Sequence, residues 1–465
     1  MSEVKGAAME LGTERIRKLL MQYAVPAIIA MTASSLYNMV DSIFIGHGVG
    51  PLAISGLALT FPLMNLAAAF GSLVGVGAAT LISMRLGQRD YETAQRVLGN
   101  VLVLNLIIGI AFGLAALLFL DPILYFFGAS EATIGYAREY MTVILLGNVI
   151  THMYLGLNAV LRASGHPRKS MYATINTVVI NTILDPLFIF GFGWGIRGAA
   201  IATVLAQIIS LVWQFRLLSD RSELIHFRRG IYRLRRRIVR DVLAIGMSPF
   251  LMNLTACFIV ILINKGLKTY GGDLMIGAYG IVNRLAFFFV MIVLGVNQGM
   301  QPIAGYNFGA KQYDRVMRVL KLTMIGATCV TTAGFLLGEF MPRLAVGMFT
   351  SDEELIRLAV EGMRIVFFCF PIIGFQMVTT NFFQSIGMAG KAIFLSLSRQ
   401  LLFLMPGLIF LPRIFDELTP WDGSWGVWCA MPLSDFLASL VAFFMLTYQL
   451  RKFRAIGAEN AAKEG

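Results

Sequence analysis

Asn181 and Asp185 stand four residues apart in NTILDPLFIFG, an otherwise apolar run, so a helix puts their amide and carboxyl on one face. Tyr37 and Asp41 repeat that spacing in SLYNMVDSIFIG, and Thr203 in GAAIATVLAQ adds a hydroxyl. These groups offer only oxygen to a cation, the ligand atom that hard ions prefer. Two carboxylates held close together out of water also compete to keep a proton. The chemistry they suggest is reversible capture of H+ or Na+, with no metal site beyond a Na+ position at Asp41, Asn181 and Asp185. A plainer reading stands beside it: Asp41 at the outer end of its helix in headgroup water, Asn181 and Thr203 as packing contacts between helices.

The elements that would position these residues are membrane spans. The 465 residues are 57% hydrophobic and 14% charged, against roughly 25% charged in soluble domains. Apolar blocks long enough to cross a bilayer recur along the chain. They place spans near 19–45, 52–84, 97–120, 134–161, 170–192, 197–218, 240–267, 274–304, 317–340, 356–386, 392–412 and 425–450. The expected fold class is an all-α membrane protein of about twelve transmembrane helices. The first span starts near Leu19 and runs too long for a cleavable signal peptide, so it is expected to serve as its own insertion signal. Asp185 then falls inside a bilayer, where an ionisable group persists only if paired, hydrated or used.

The net charge of +12 sorts by side. Alternate loops hold Arg15, Arg17 and Lys18, then Arg85, Arg89 and Arg96, then the run from Arg228 to Arg240, then Lys311, Arg315 and Arg318. The positive-inside rule puts these loops and both termini in the cytoplasm, so the charge is topological and predicts no nucleic-acid partner. Cys257, Cys329, Cys369 and Cys429 each lie singly in an apolar segment and read as small core residues.

Two basic loops match. LGQRDYETAQRVL aligns with FGAKQYDRVMRVL at an offset of 222 residues, which also relates LRASGHPRK to FQSIGMAGK. The chain is expected to hold two six-helix lobes related by a parallel repeat: 1–218, a basic amphipathic cytoplasmic linker 219–240 lying on the lipid surface, and 241–465 with a cytoplasmic tail. At an offset of 223 the counterpart of Asp41 is Asn264, and spans seven and ten offer Asn253, Gln376 and Asn381 but no carboxylate near mid-membrane. Ion coupling is therefore expected in the first lobe alone.

Flexible methionines and aromatic faces suit adaptable surfaces for organic cations. Met31, Met64, Met153, Phe287 and Met291 are candidates for a substrate cavity, as is Arg284; packing against lipid or neighbouring helices explains such residues as readily. Asp435 is a candidate partner for Arg284 or an acid of the cavity. Pro186 removes a helix hydrogen bond and is a candidate hinge.

The two halves, the matched loops, LRASGHPRKSMYATINTVVINTILDPLFIFG and GIRGAAIAT resemble the MATE (multidrug and toxic compound extrusion) transporter family, in its prokaryotic DinF/MepA-like branch, from about Arg15 to Arg454. The resemblance implies a V-shaped pair of lobes. It implies ion coupling at Asp41, Asn181, Asp185 and Thr203, with Tyr37, Tyr140 and Asn158 supporting the same cavity and Pro26 bending the first helix. The implied function is cation-coupled (H+ or Na+) antiport, exporting small amphipathic, often cationic, drugs. The protein is expected to be a monomer in a prokaryotic inner membrane, with no cofactor and no enzymatic activity. Two rivals are weighed. A flippase of lipid-linked saccharides would show a more cationic cavity. An aspartyl protease using Asp41 and Asp185 would not call for a duplicated architecture. No GxxxxGK[ST] motif provides for ATP drive.

Overall fold

The computed structural model describes residues 6–464, and these form helices and turns with no strand among them. Ten helices are individually long and apolar enough to cross a membrane, and two bent pairs bring the spans to 12. In chain order, spans 1 to 6 are Ile16–Gly48, Ser55–Gly87, Tyr91–Leu118, Ile134–Leu146 with Asn148–Ala163, Pro167–Gly191 and Gly195–Leu218. Spans 7 to 12 are Arg236–Gly272, Leu274–Gly309, Tyr313–Phe340, Glu353–Phe368 with Phe370–Ser385, Ala389–Leu418 and Gly423–Ile456.

Spans 4 and 10 bend by 55° and 52°, where unbroken runs were expected. The physical causes are local. Gly147 lies at the first bend, where an added Cβ would come within 2.6 Å of Val204. At the second, Pro371 supplies no backbone N–H, and the helix restarts around it. The bends are themselves 222 residues apart, at Gly147 and Cys369, so the repeat is present in the backbone as well as the loops. Spans 7 and 8 adjoin with almost no loop, because Gly272 takes a left-handed turn at φ 73°.

Outward-facing Leu118, Phe119, Phe340 and Phe444 are exposed, as lipid-facing side chains are. Inside, each half has two apolar clusters, one toward the basic loops and one toward the opposite side. The halves interlock at the basic end. Leu11, Ile16, Leu19 and Tyr23 pack into the second half's cluster, and Ile238 and Val242 pack into the first half's.

Close helix crossings seal this seam, as small residues allow in membranes. A Cβ at Gly246 would stand 1.7 Å from the Leu73 carbonyl oxygen, and one at Gly77 would stand 2.0 Å from that of Val242. Gln301 donates across the seam to Thr80 Oγ1 at 2.9 Å, and Asn307 donates to the Leu11 carbonyl at 2.9 Å. Pro26 sits within the seam, with Ala24 against Gly299 and Ile28 against Gly295. The lobes are thus closed on the side that carries the basic loops.

The segment between spans 6 and 7, expected to lie on the lipid surface, also packs part of its apolar side on protein. Ile225 and Ile231 are buried, and Phe227 packs on Phe215 with ring centroids 5.3 Å apart. Asn100 in span 3 donates to the carbonyls of Ile231 and Arg233 at 3.4 and 3.3 Å, and accepts from the Arg235 N–H at 3.1 Å. Lys169 and His166 both grip Glu223, at 2.8 and 2.7 Å. Burial works against ionisation of Glu223, but the hydrogen bond and charge of Lys169, together with His166, outweigh it and hold the carboxyl below its ordinary range. Most of the apolar stripe packs on protein, while Leu234 and Tyr232 are exposed together with Arg228, Arg229, Arg236 and Arg237.

Candidate functional site

Three spans of the first half build the site. Span 1 contributes Tyr37 and Asp41 from one face, four residues apart. Span 5 contributes Asn181 and Asp185, again four apart, and Pro186 follows at once. Pro186 ends the regular helix, and a widened π turn, Leu187–Gly191, continues the span. Span 6 contributes Thr203, whose hydroxyl donates to the Ala199 carbonyl at 3.1 Å.

These side chains meet. The Tyr37 and Thr203 hydroxyls share a hydrogen bond of 2.9 Å. Asn181 Nδ2 donates to Asp185 Oδ1 at 3.2 Å and toward Thr203 Oγ1 at 3.3 Å. The Asp41 and Asp185 carboxyls face each other at interacting distance, and buried Tyr140 from span 4 stands beside them. Asp185 is fully buried, and Asn181 and Asp41 are nearly so, at 1% and 5% exposure.

The cluster leaves three buried oxygens without a hydrogen-bond donor among the described residues: Asp41 Oδ1, Asn181 Oδ1 and Asp185 Oδ2. Each unpaired buried acceptor carries a desolvation cost that a bound proton or cation removes. The donor set therefore fits a proton or a hard monovalent ion, whereas no group of three or more His, Cys, Asp or Glu suited to a metal occurs among the described residues.

A cavity of about 150 Å³ adjoins the cluster, sharing Tyr37, Asn181 and Thr203 with it. Asn158 lies just beyond, donating to Thr174 Oγ1 at 2.9 Å and accepting from the Ser170 hydroxyl. Sequence reasoning missed several walls of this cavity: Ser34, Tyr154, Thr174, Thr177 and Gln207. A signal was present, since Thr174 and Thr177 share the Asn181 face of span 5 and Gln207 follows Thr203 by four residues.

The candidate substrate residues are dispersed. Met64 packs in the cluster around Tyr140, and Met153 packs toward the basic side of the same half. Met31 touches Gln298 across the seam, with 3.5 Å between Sδ and Nε2. Phe287 and Arg284 are exposed on span 8, Met291 is half-buried, and Arg284 has no ion pair among the described residues. Asp435 does not pair with Arg284. It accepts from Arg399 Nε at 2.6 Å, a partner on the adjoining span that its position 36 residues away in sequence did not reveal.

The MatE family profile matches residues 26–187 and 246–409. The chain is 28% identical over 438 residues to the multidrug export protein MepA of Staphylococcus aureus, covering 93% of this chain and 94% of that one. The Staphylococcus haemolyticus protein of the same name is 26% identical over 436 residues, covering 94% of each. A structure described as the outward-facing conformation of a multidrug resistance MATE family transporter superposes with a TM-score of 0.89 at 24% identity, over 96% of this chain and 98% of that one. A MATE crystal structure in a bent conformation gives 0.90, also at 24% identity, over 97% and 99%. The duplicated spans, the oxygen-lined cluster between spans 1, 5 and 6, and these likenesses agree: the chain belongs to the MatE family, whose solved members are membrane transporters rather than enzymes.

Proposed function

We propose that this protein is an antiporter that exports small amphipathic, often cationic, organic compounds in exchange for H+ or Na+ bound between Asp41 and Asp185. The observation that carries the reading is the set of three unpartnered oxygens on Asp41, Asn181 and Asp185, buried together in one half of the molecule. The multidrug export named for the staphylococcal relatives supports the substrate class.

In this reading the ion neutralises the paired carboxyls, and the first lobe repacks around them. Asn181 holds Asp185 in place, while the Tyr37–Thr203 hydroxyl pair ties span 1 to span 6. The deformable points are the places where helix hydrogen bonding is already interrupted, at Pro26 and at Pro186 with its π turn. The ion drives export only to the extent that ion and drug bind the two arrangements unequally. The unit is a monomer with lobes 1–218 and 241–465, sits in a prokaryotic cytoplasmic membrane, and has its basic side and both termini inside.

Ethidium efflux from proteoliposomes, under imposed pH or Na+ gradients, tests this with wild type beside Asp185→Asn. Efflux should follow one gradient and vanish in the variant. Equal gradient-driven efflux in both proteins would remove the assigned coupling site.

A further inference from the structure

At the basic end of the lobe seam lies a cleft of about 480 Å³ that the transport reading does not use. Its walls include Thr13, Gln88, Arg89, Tyr306, Lys311 and Gln312, and no acidic side chain among the described residues lines it. Arg89 follows span 2 in the first half; Lys311 follows span 8 in the second. The cleft therefore takes one cation from each lobe.

Both cations are exposed side chains. Neither has an ion pair among the described residues, although basic residues around them are engaged. Arg85 reaches Asp90 at 3.6 Å, and Arg315 is held by Asn307 Oδ1 and by the carbonyls of Leu11 and Glu14. The helix ends do not need Arg89 or Lys311 as charged caps either. The chain folds back to satisfy those carbonyls, with the Asp90 N–H on Arg85 O at 2.9 Å and the Gln312 N–H on Asn307 O at 2.8 Å.

The backbone adds an independent argument. Arg89 and Lys311 sit at φ 60° and 59°, the two described non-glycine residues with positive φ, and they are repeat equivalents. Glycine meets that conformation without strain. A long cationic side chain at both positions answers no backbone requirement, and besides adding to the basic side each one lines the shared cleft.

We propose that Arg89 and Lys311 jointly bind a phosphate-bearing anion, either the headgroup of an acidic phospholipid or a free phosphate, and that the bound anion holds the lobes closed on this side. Phosphate suits a guanidinium and an ammonium converging from two sides. A ligand spanning both lobes keeps its full set of contacts only while the seam is shut, so by linkage it favours the shut arrangement.

The test uses the full-length protein in neutral detergent micelles and the double variant Arg89→Gly/Lys311→Gly. Glycine removes both charges and relieves both strained backbones, so loss of folding is not the expected result. Phosphatidylglycerol, phosphatidylcholine and inorganic phosphate are titrated separately, with binding read by thermal shift and seam closure by hydrogen exchange over residues 298–312. A basic side chain at an anionic surface tightens binding about fivefold, so the double variant should bind about 30-fold more weakly and lose the added exchange protection. Binding by phosphatidylglycerol alone identifies a lipid headgroup; the same effects from inorganic phosphate identify the free anion. Equal binding to wild type and variant, or phosphatidylcholine binding as tightly as phosphatidylglycerol, would overturn the anion site. Binding without added protection would overturn its role in closure.

Discussion

Arg399 donates to Asp435 at 2.6 Å, so the acid in the second half brings its own counter-charge, while Asp41 and Asp185 in the first half face each other with none. By the repeat offsets of 222 and 228 residues, Arg399 and Asp435 replace Thr177 and Gln207, which line the small cavity of the first half. The buried acid of span 12 is therefore paired within the protein, whereas the two facing carboxyls of spans 1 and 5 have no basic partner among the described residues.

That asymmetry gives a first prediction. Replacing Asp41 or Asp185 singly by Asn removes one of two facing carboxyls without removing shape. Each variant should lose at least about tenfold in gradient-coupled efflux, a difference of about 1.4 kcal/mol in the coupled step. The melting temperature should stay level or rise, because a like-charge pair has been relieved. A lower melting temperature with coupling preserved would show a structural role instead.

In the second half the expectation is reversed. Arg399→Ala leaves a nearly buried Asp435 unpaired and should cost about 3 kcal/mol of stability. Replacing both residues with apolar side chains of similar size should recover most of that loss. Denaturant or thermal unfolding in detergent of the single and double variants measures the difference.

Tyr37→Phe deletes one hydroxyl of the 2.9 Å pair and leaves Thr203 its bond to Ala199. The stability change should be small, about 1 kcal/mol. Ion affinity should fall severalfold, because span 1 is no longer tied to span 6. Titration of efflux against Na+ or H+ concentration separates the two effects, since a purely structural role would leave the titration midpoint where it was.

Gly246→Leu places a side chain where a Cβ alone would lie 1.7 Å from the Leu73 carbonyl oxygen. The backbones cannot keep their approach, so the seam should be held ajar on the basic side. Hydrogen exchange over 70–80 and 240–250 should accelerate severalfold, with efflux lost. Unchanged exchange would mean that the seam tolerates the wedge.

Acid should undock the linker. Glu223 ionises more readily in the folded protein than in the unfolded chain, so its contribution is complete above the ordinary glutamate range. It is lost as pH falls through the lower folded value. Exchange at residues 220–235 should rise in wild type as pH falls through and below the ordinary glutamate range. Glu223→Gln should show fast exchange at neutral pH, with most of that pH dependence gone.

Much of this molecule was legible from sequence, for identifiable reasons. Spans announce themselves because a bilayer demands about 20 apolar residues in a row. Asn181, Asp185 and Tyr37 stood out because polar groups in such runs are costly and their four-residue spacing fixes a shared face. Thr174, Thr177 and Gln207 did not stand out, since hydroxyls and amides can satisfy themselves within a helix, as Thr177 does on the Ala173 carbonyl. The docking of the linker on span 3 was not legible for a different reason. Alternating arginines and aliphatic residues serve a lipid surface or a protein groove equally well, and the backbone partners of Asn100 cannot be read from residue types.

Those Asn100 contacts also govern how the molecule can travel. They fasten the main chain up to Arg235, and span 7 begins at the next residue, Arg236. No slack remains between the anchored strap and the second half. While the Asn100 contacts hold, the start of span 7 can move only a short way from span 3 at the basic surface. Extra residues spliced in after Arg235 would lengthen the leash and let the halves drift sideways, without touching a single group that binds the ion.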